Sequence, residues 1–154
     1  MAYRISGLDP ARFADSESLI AAGAIRVRAD SKPGFPCRVT LEDAEAGESL
    51  LLLNHVSHDV ATPFRSAYAI YVREGATTAP DYVDSTPAFF SHRTLGLRGF
   101  DAEGMLRRAS VAGPGEADQA IRGLLDHAEI AYIDLHNAGA GCFMARAERY
   151  DAQG

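Results

Sequence analysis

Apolar and polar residues alternate through most of this 154-residue chain, and one late stretch changes to helical spacing. Tyr3–Leu8 is a short alternating strand. Asp9-Pro10 opens a turn or a first helical turn. Asp15 or Ser16 can cap a short helix running to Ala22, which Gly23 stops. Ile25 and Val27 alternate with Arg26 and Arg28, the pattern of a half-buried strand. Two prolines and a glycine keep Ser31–Pro36 out of regular structure. Cys37–Val39 is extended, and Thr40-Leu41-Glu42-Asp43 resembles a capping box, which predicts a single helical turn. Ser49–Asn54 is apolar on both faces, as in a central strand. Ser66–Arg73 is a second strong strand, with Tyr68, Ile70 and Val72 on one face. These two strands pair antiparallel across Asn54–Arg65, which reads as a long polar loop.

Gly75–Phe90 is the least regular part. His92–Phe100 and Met105–Val111 form a hairpin about the turn Asp101–Gly104. Glu116–Ala128 is the clearest helix. Its Ala117, Ala120, Ile121, Leu124, Leu125 and Ala128 share one face, and acids occupy its first turn. Ile130–His136 and Cys142–Tyr150 make the last hairpin. The expected fold class is α+β: a mainly antiparallel sheet of hairpins with one major helix, about residues 116–128, packed on one face. The length suits a single domain over residues 1–154.

Composition narrows the function classes. A formal net charge of −6 argues against general nucleic-acid binding, which needs clustered basic residues. Lys32 is the only lysine, so arginine, the better residue for forked carboxylate or phosphate recognition, carries the positive charge. No run approaches the ~20 apolar residues of a membrane span. MAYRISGLDP lacks a signal-peptide core. A cytoplasmic location with no membrane partner is therefore expected. Cys37 and Cys142 cannot make a disulfide framework and are expected as thiols.

The densest candidate chemistry lies in the last hairpin, AYIDLHNAGAGCFMAR (Ala131–Arg146). A loop of Ala138–Gly141 sets Asn137 opposite Cys142, whereas including Asn137 in the loop sets His136 there. Cys142 with His136 has the parts of a nucleophile and its base. Cys37 lies between Pro36 and Arg38, and an approaching guanidinium would activate it. His55 and His58, with Asp59, His136 or Cys142, are the residue types of a metal site, but the spacing assigns none, and the cofactor stays unknown. Arg38, Arg65 and Arg73 lie near strand ends and could gather an anion. His92 and His127 read as surface residues, and Tyr68, Tyr71 and Tyr132 as strand core. Tyr82, Phe89 and Phe90 are expected to be exposed.

Three blocks resemble the bacterial family 1203 of domains of unknown function. They are KPGFPCRVTLEDAEAGESLLLLNH (Lys32–His55), PFRSAYAIYVREGA (Pro63–Ala76) and AYIDLHNAGAGCFMAR. The resemblance spans nearly the whole chain and implies a member without a second domain. It implies no activity, substrate or cofactor. The family's motif-like blocks fall on Gly34–Arg38, Asn54–His55, Phe64–Arg65 and His136–Cys142.

The leading functional reading is a binding domain for a small anionic metabolite. Its pocket would draw on Cys37, Arg38, Asn54, His55, Arg65, His136, Asn137 and Cys142. The alternatives are a cysteine- or metal-dependent hydrolase, with Cys142 and His136 as its catalytic pair, and a homodimeric interaction protein without catalysis.

Overall fold

The alternating segments resolve into two sheets rather than one. The computed structural model describes residues 2–152. Its strands are β1 (Ala2–Ser6), β2 (Ile25–Arg28), β3 (Pro36–Cys37), β4 (Glu42–Asp43), β5 (Ser49–His58), β6 (Ser66–Arg73), β7 (Asp81–Val83), β8 (Leu95–Phe100), β9 (Leu106–Ala112), β10 (Tyr132–Asn137) and β11 (Phe143–Tyr150). The larger sheet runs β7-β1-β11-β10-β8-β9 and is antiparallel throughout. The smaller runs β2-β5-β6-β3-β4, with one parallel step where Cys37 faces Tyr71.

The two faces of the larger sheet differ in chemistry. Tyr3, Ile5, Leu97, Ile133, Leu135 and Ala147 point to one side and bury against helix α2 (Ala117–Leu125) through Ile121, Leu124 and Leu125. This is the expected helix, shorter at both ends than residues 116–128. Alternation sends Arg98, Phe100, Tyr132, Asp134, His136 and Arg146 to the other side. There they meet β5 and β6. His58 stacks on Phe100 at 3.9 Å between ring centres, and Tyr68 stands edge-on to His136 at 4.9 Å. The layer between the sheets is thus largely polar, while the layer under α2 is apolar.

Local signals explain the smaller elements. The Asp15 carboxylate accepts from the Ser18 amide at the start of α1 (Ser16–Ala21), and Gly23 turns the chain with φ of 117°. Asp9 caps a 3-10 turn over Pro10–Phe13 in the same way.

Several expectations need correction. Thr40–Asp43 is no helical turn: Leu41 takes φ of 56° and β4 follows, because β3 and β4 pair across this tight reversal. The expected loop from Asn54 is strand as far as His58, and the polar side chains His55 and His58 are buried because a second sheet covers them. Phe89 and Phe90 are core residues, not surface aromatics. The strand β2 is an outer one with Ile25 59% exposed, more open than a half-buried pattern suggests.

The outermost strands are β7 and β9 in one sheet and β2 and β4 in the other. Among them β4 spans two residues and β7 three, while β9 carries Arg107 and Arg108 and β2 carries Arg26 and Arg28.

Leu135 is fully buried beneath α2, whereas Val111 is 71% exposed. Leu135→Ala is expected to cost about 2–5 kcal/mol in urea unfolding. Val111→Ala should stay within about 0.5 kcal/mol of the parent. Equal losses would contradict this placement of the core.

Candidate functional site

Arg38 occupies the join between the sheets. It follows β3 directly and is 1% exposed. Its Nε donates to the Phe143 carbonyl at 2.7 Å and one terminal nitrogen to the Pro36 carbonyl at 2.6 Å. The other terminal nitrogen donates to the Cys142 sulfur at 3.0 Å. Burial pulls its guanidinium below the ordinary value, and the Cys142 sulfur opposes that shift.

The last hairpin takes the first of its two registers. The Asn137 amide donates to the Cys142 carbonyl at 2.9 Å, so Asn137 lies opposite Cys142, and a bulge at Leu135/His136 then pairs His136 with Phe143. The His136 Nδ1–H donates to the Gly141 carbonyl at 2.9 Å. That bond closes the loop and leaves Nε2 as the basic nitrogen. Asn137 turns its side chain into the loop, where Oδ1 accepts from the Gly139 amide. The protein partner of the Cys142 sulfur is Arg38, from another part of the chain, rather than His136.

Phe143 is the hub of what does converge. Its ring lies 6.4 Å from that of His55 and 5.9 Å from that of His136, and its carbonyl binds Arg38. Arg38, His55, His136 and Cys142 therefore surround one residue. The remaining sequence candidates lie apart. Cys37 is wholly buried and its sulfur accepts from the amides of Thr40 and Arg73. Asn54 is exposed. Arg65 is exposed and pairs with Asp59 at 3.1 Å. Arg73 is held by Glu42, Glu48, Thr40 and the Asp43 carbonyl, so Arg38, Arg65 and Arg73 do not form one anion pocket. His58 donates through Nδ1–H to the Phe64 carbonyl and accepts from the Tyr132 hydroxyl at 2.6 Å. Among the described residues no three His, Cys, Asp or Glu side chains are placed to hold a metal ion together.

Beside Phe143 the sheets part into a cleft of about 470 Å³. Its lining includes Arg4, Ser6, Arg12, His55, Ser57, Phe143, Arg146 and Glu148. Arg146 forks onto Asp134 at 2.6 and 3.1 Å, reaches the Ser57 carbonyl, and lies over the Tyr132 ring at 4.3 Å. Arg4 pairs loosely with Glu148 at 3.9 Å. No hydrogen bond or ion pair from the protein engages the Arg12 guanidinium among the described residues. The Ser57 hydroxyl is buried with no partner. His55 is pushed down to about 4, chiefly by burial and further by the Arg12 charge. At neutral pH it is an uncharged imidazole facing a free cation.

Sequence reasoning passed over Arg4, Arg12, Ser57 and Arg146. One signal for Arg146 was available: it shares a strand face with Asp134 across the last hairpin. Arg12 carries no such signal, because its place depends on how the turn after β1 crosses the smaller sheet.

The sequence model of the DUF1203 family, described as a protein of unknown function, matches residues 34–149. The chain belongs to this family. No curated protein and no solved structure matches it. Within the DUF1203 match lie Arg38, His55, Ser57, Cys142, Phe143 and Arg146, whereas Arg4 and Arg12 precede it. No helix among the described residues is long and apolar enough to cross a membrane.

The depressed His55 fixes the sign of one pH effect. Its ordinary value is 6.5 and its folded value about 4. Between these values the unfolded chain binds more protons, so stability falls as pH drops through this window. The buried His136, also lowered, acts in the same direction. In denaturant unfolding between pH 7 and pH 5, His55→Gln should lose stability less steeply than the parent. An unchanged slope would contradict a neutral, buried His55.

Proposed function

We propose that this protein binds a small anionic molecule in the cleft between its sheets. The observation that carries the reading is the Arg12 guanidinium, which lines the cleft without a protein partner among the described residues, beside the uncharged His55. Arg12 supplies a forked donor for a carboxylate or phosphate. The neutral His55 beside it offers one donor and one acceptor and adds no second charge. Leu8, Val56, Val60 and Phe143 supply apolar wall. The volume falls within the usual range for small-molecule sites.

This reading keeps His55 from the sequence-level pocket. It replaces the other seven expected residues, Cys37, Arg38, Asn54, Arg65, His136, Asn137 and Cys142, with Arg4, Arg12, Ser57 and Arg146. The charge of the walls is mixed, with Asp59 and Glu148 near the arginines. A compact anion that can reach Arg12 is favoured over a multiply charged polymer.

Inorganic phosphate and succinate, each at millimolar concentration and matched ionic strength, are suitable probes. At least one should raise the melting temperature of the parent above a sodium chloride control. Arg12→Ala should weaken that binding about tenfold or more in titration calorimetry. Ser57→Ala should weaken it less. Equal shifts in the parent and in Arg12→Ala, or none in the parent, would refute the assignment.

A further inference from the structure

A buried guanidinium ordinarily meets a carboxylate, since an uncompensated charge in the interior is expensive. Arg38 meets none among the described residues. Its partners are two backbone carbonyls and the Cys142 sulfur. One N–H is therefore already aimed, at 3.0 Å, at the atom that carries negative charge once that thiol gives up its proton. The two cysteines differ in every relevant respect. Cys37 is closed to solvent and bonded by backbone amides. Cys142 is half-buried at the end of a hairpin loop and bonded by a cation.

We propose that Cys142 is a modification site for hydrogen peroxide and small organic peroxides, with Arg38 as its positioning residue. The Cys142 sulfur attacks one peroxide oxygen. A sulfur–oxygen bond forms as the oxygen–oxygen bond breaks. Sulfur is oxidised by two electrons to the sulfenic acid, and the peroxide is reduced. The thiol proton goes to the departing oxygen, which leaves as water or, from an organic peroxide, as an alcohol. Arg38 stabilises negative charge on the sulfur and on the departing oxygen, and it then offers the same N–H to the sulfenic oxygen. With Cys37 enclosed, no second thiol of the chain is presented to solvent to capture the product. This goes beyond ligand binding in the cleft and does not depend on it.

The test treats the full chain with hydrogen peroxide in the presence of dimedone, followed by peptide mass mapping. Cys142 should be trapped at least about tenfold faster than N-acetylcysteinamide in the same tube, with Cys37 unmodified. Trapping no faster than the model thiol, or at Cys37 first, overturns the proposal. Cys142→Ser should abolish the signal and Cys37→Ser should leave it; the reverse pattern also overturns it. The part played by Arg38 is read on the parent protein without any substitution. Iodoacetate, an anion, should be favoured over neutral iodoacetamide at Cys142 by about threefold or more relative to the model thiol. An equal ratio removes Arg38 from the proposal. If Arg38→Lys melts cooperatively, its trapping rate should fall severalfold, and an unchanged rate would remove Arg38 likewise.

Discussion

One buried cation, Arg38, ties both sheets together through its backbone and its side chain. The backbone of Arg38 donates to Tyr71 of the smaller sheet at 3.0 Å and accepts from Leu8, just beyond β1, also at 3.0 Å. Its side chain then reaches across to Phe143 of the larger sheet and to Cys142 in the loop just before it. Dehydrating a guanidinium is costly, and the cost is offset only when its donors find acceptors in good geometry. Three of them do so here, each at 3.0 Å or less. The join also requires a close backbone crossing. A Cβ on Gly7 would lie 1.8 Å from the Val39 carbonyl oxygen, so only glycine permits the N-terminal strand to pass over this segment.

The layer between the sheets contrasts with the apolar layer under α2. His58 is bonded by both ring nitrogens, Asp134 by a forked arginine, and Tyr68 by Arg98. Directional bonds of this kind fix how one sheet sits on the other more narrowly than interchangeable apolar contacts would. The polar character also leaves room for a wet cleft beside Phe143, where a tightly interdigitated apolar layer would have closed.

Periodicity exposed those elements whose pattern is local. The helix over residues 117–125, the pairing of β5 with β6, and the last two hairpins follow from spacing and turn residues alone. The second sheet was not legible, because β3 and β4 span two residues each, and β3, on which β4 pairs, joins the sheet only through a bridge to distant β6. The same cause hid the burial of His55 and His58: polar side chains on an alternating strand look solvated until something covers them. Within the site, Arg38, His55, His136 and Cys142 were recognisable by type. The partnership of Arg38 with Cys142 spans 104 positions, and no spacing rule reaches that far. Arg12 was missed for the complementary reason, since its significance lies in what does not touch it.

The outer strands have a consequence for how copies of this chain behave in a crowded solution. An unpaired strand edge is a template on which another chain can continue the ladder, the first step toward fibrillar growth. Here the two shortest edges offer two and three residues, too few to hold a stranger. The longer ones, β2 and β9, each carry two arginines, three of which are held in ion pairs, so a strand added there would meet bulky hydrated side chains. Four outer strands that are either very short or lined with ion pairs thereby give a second chain little to build on.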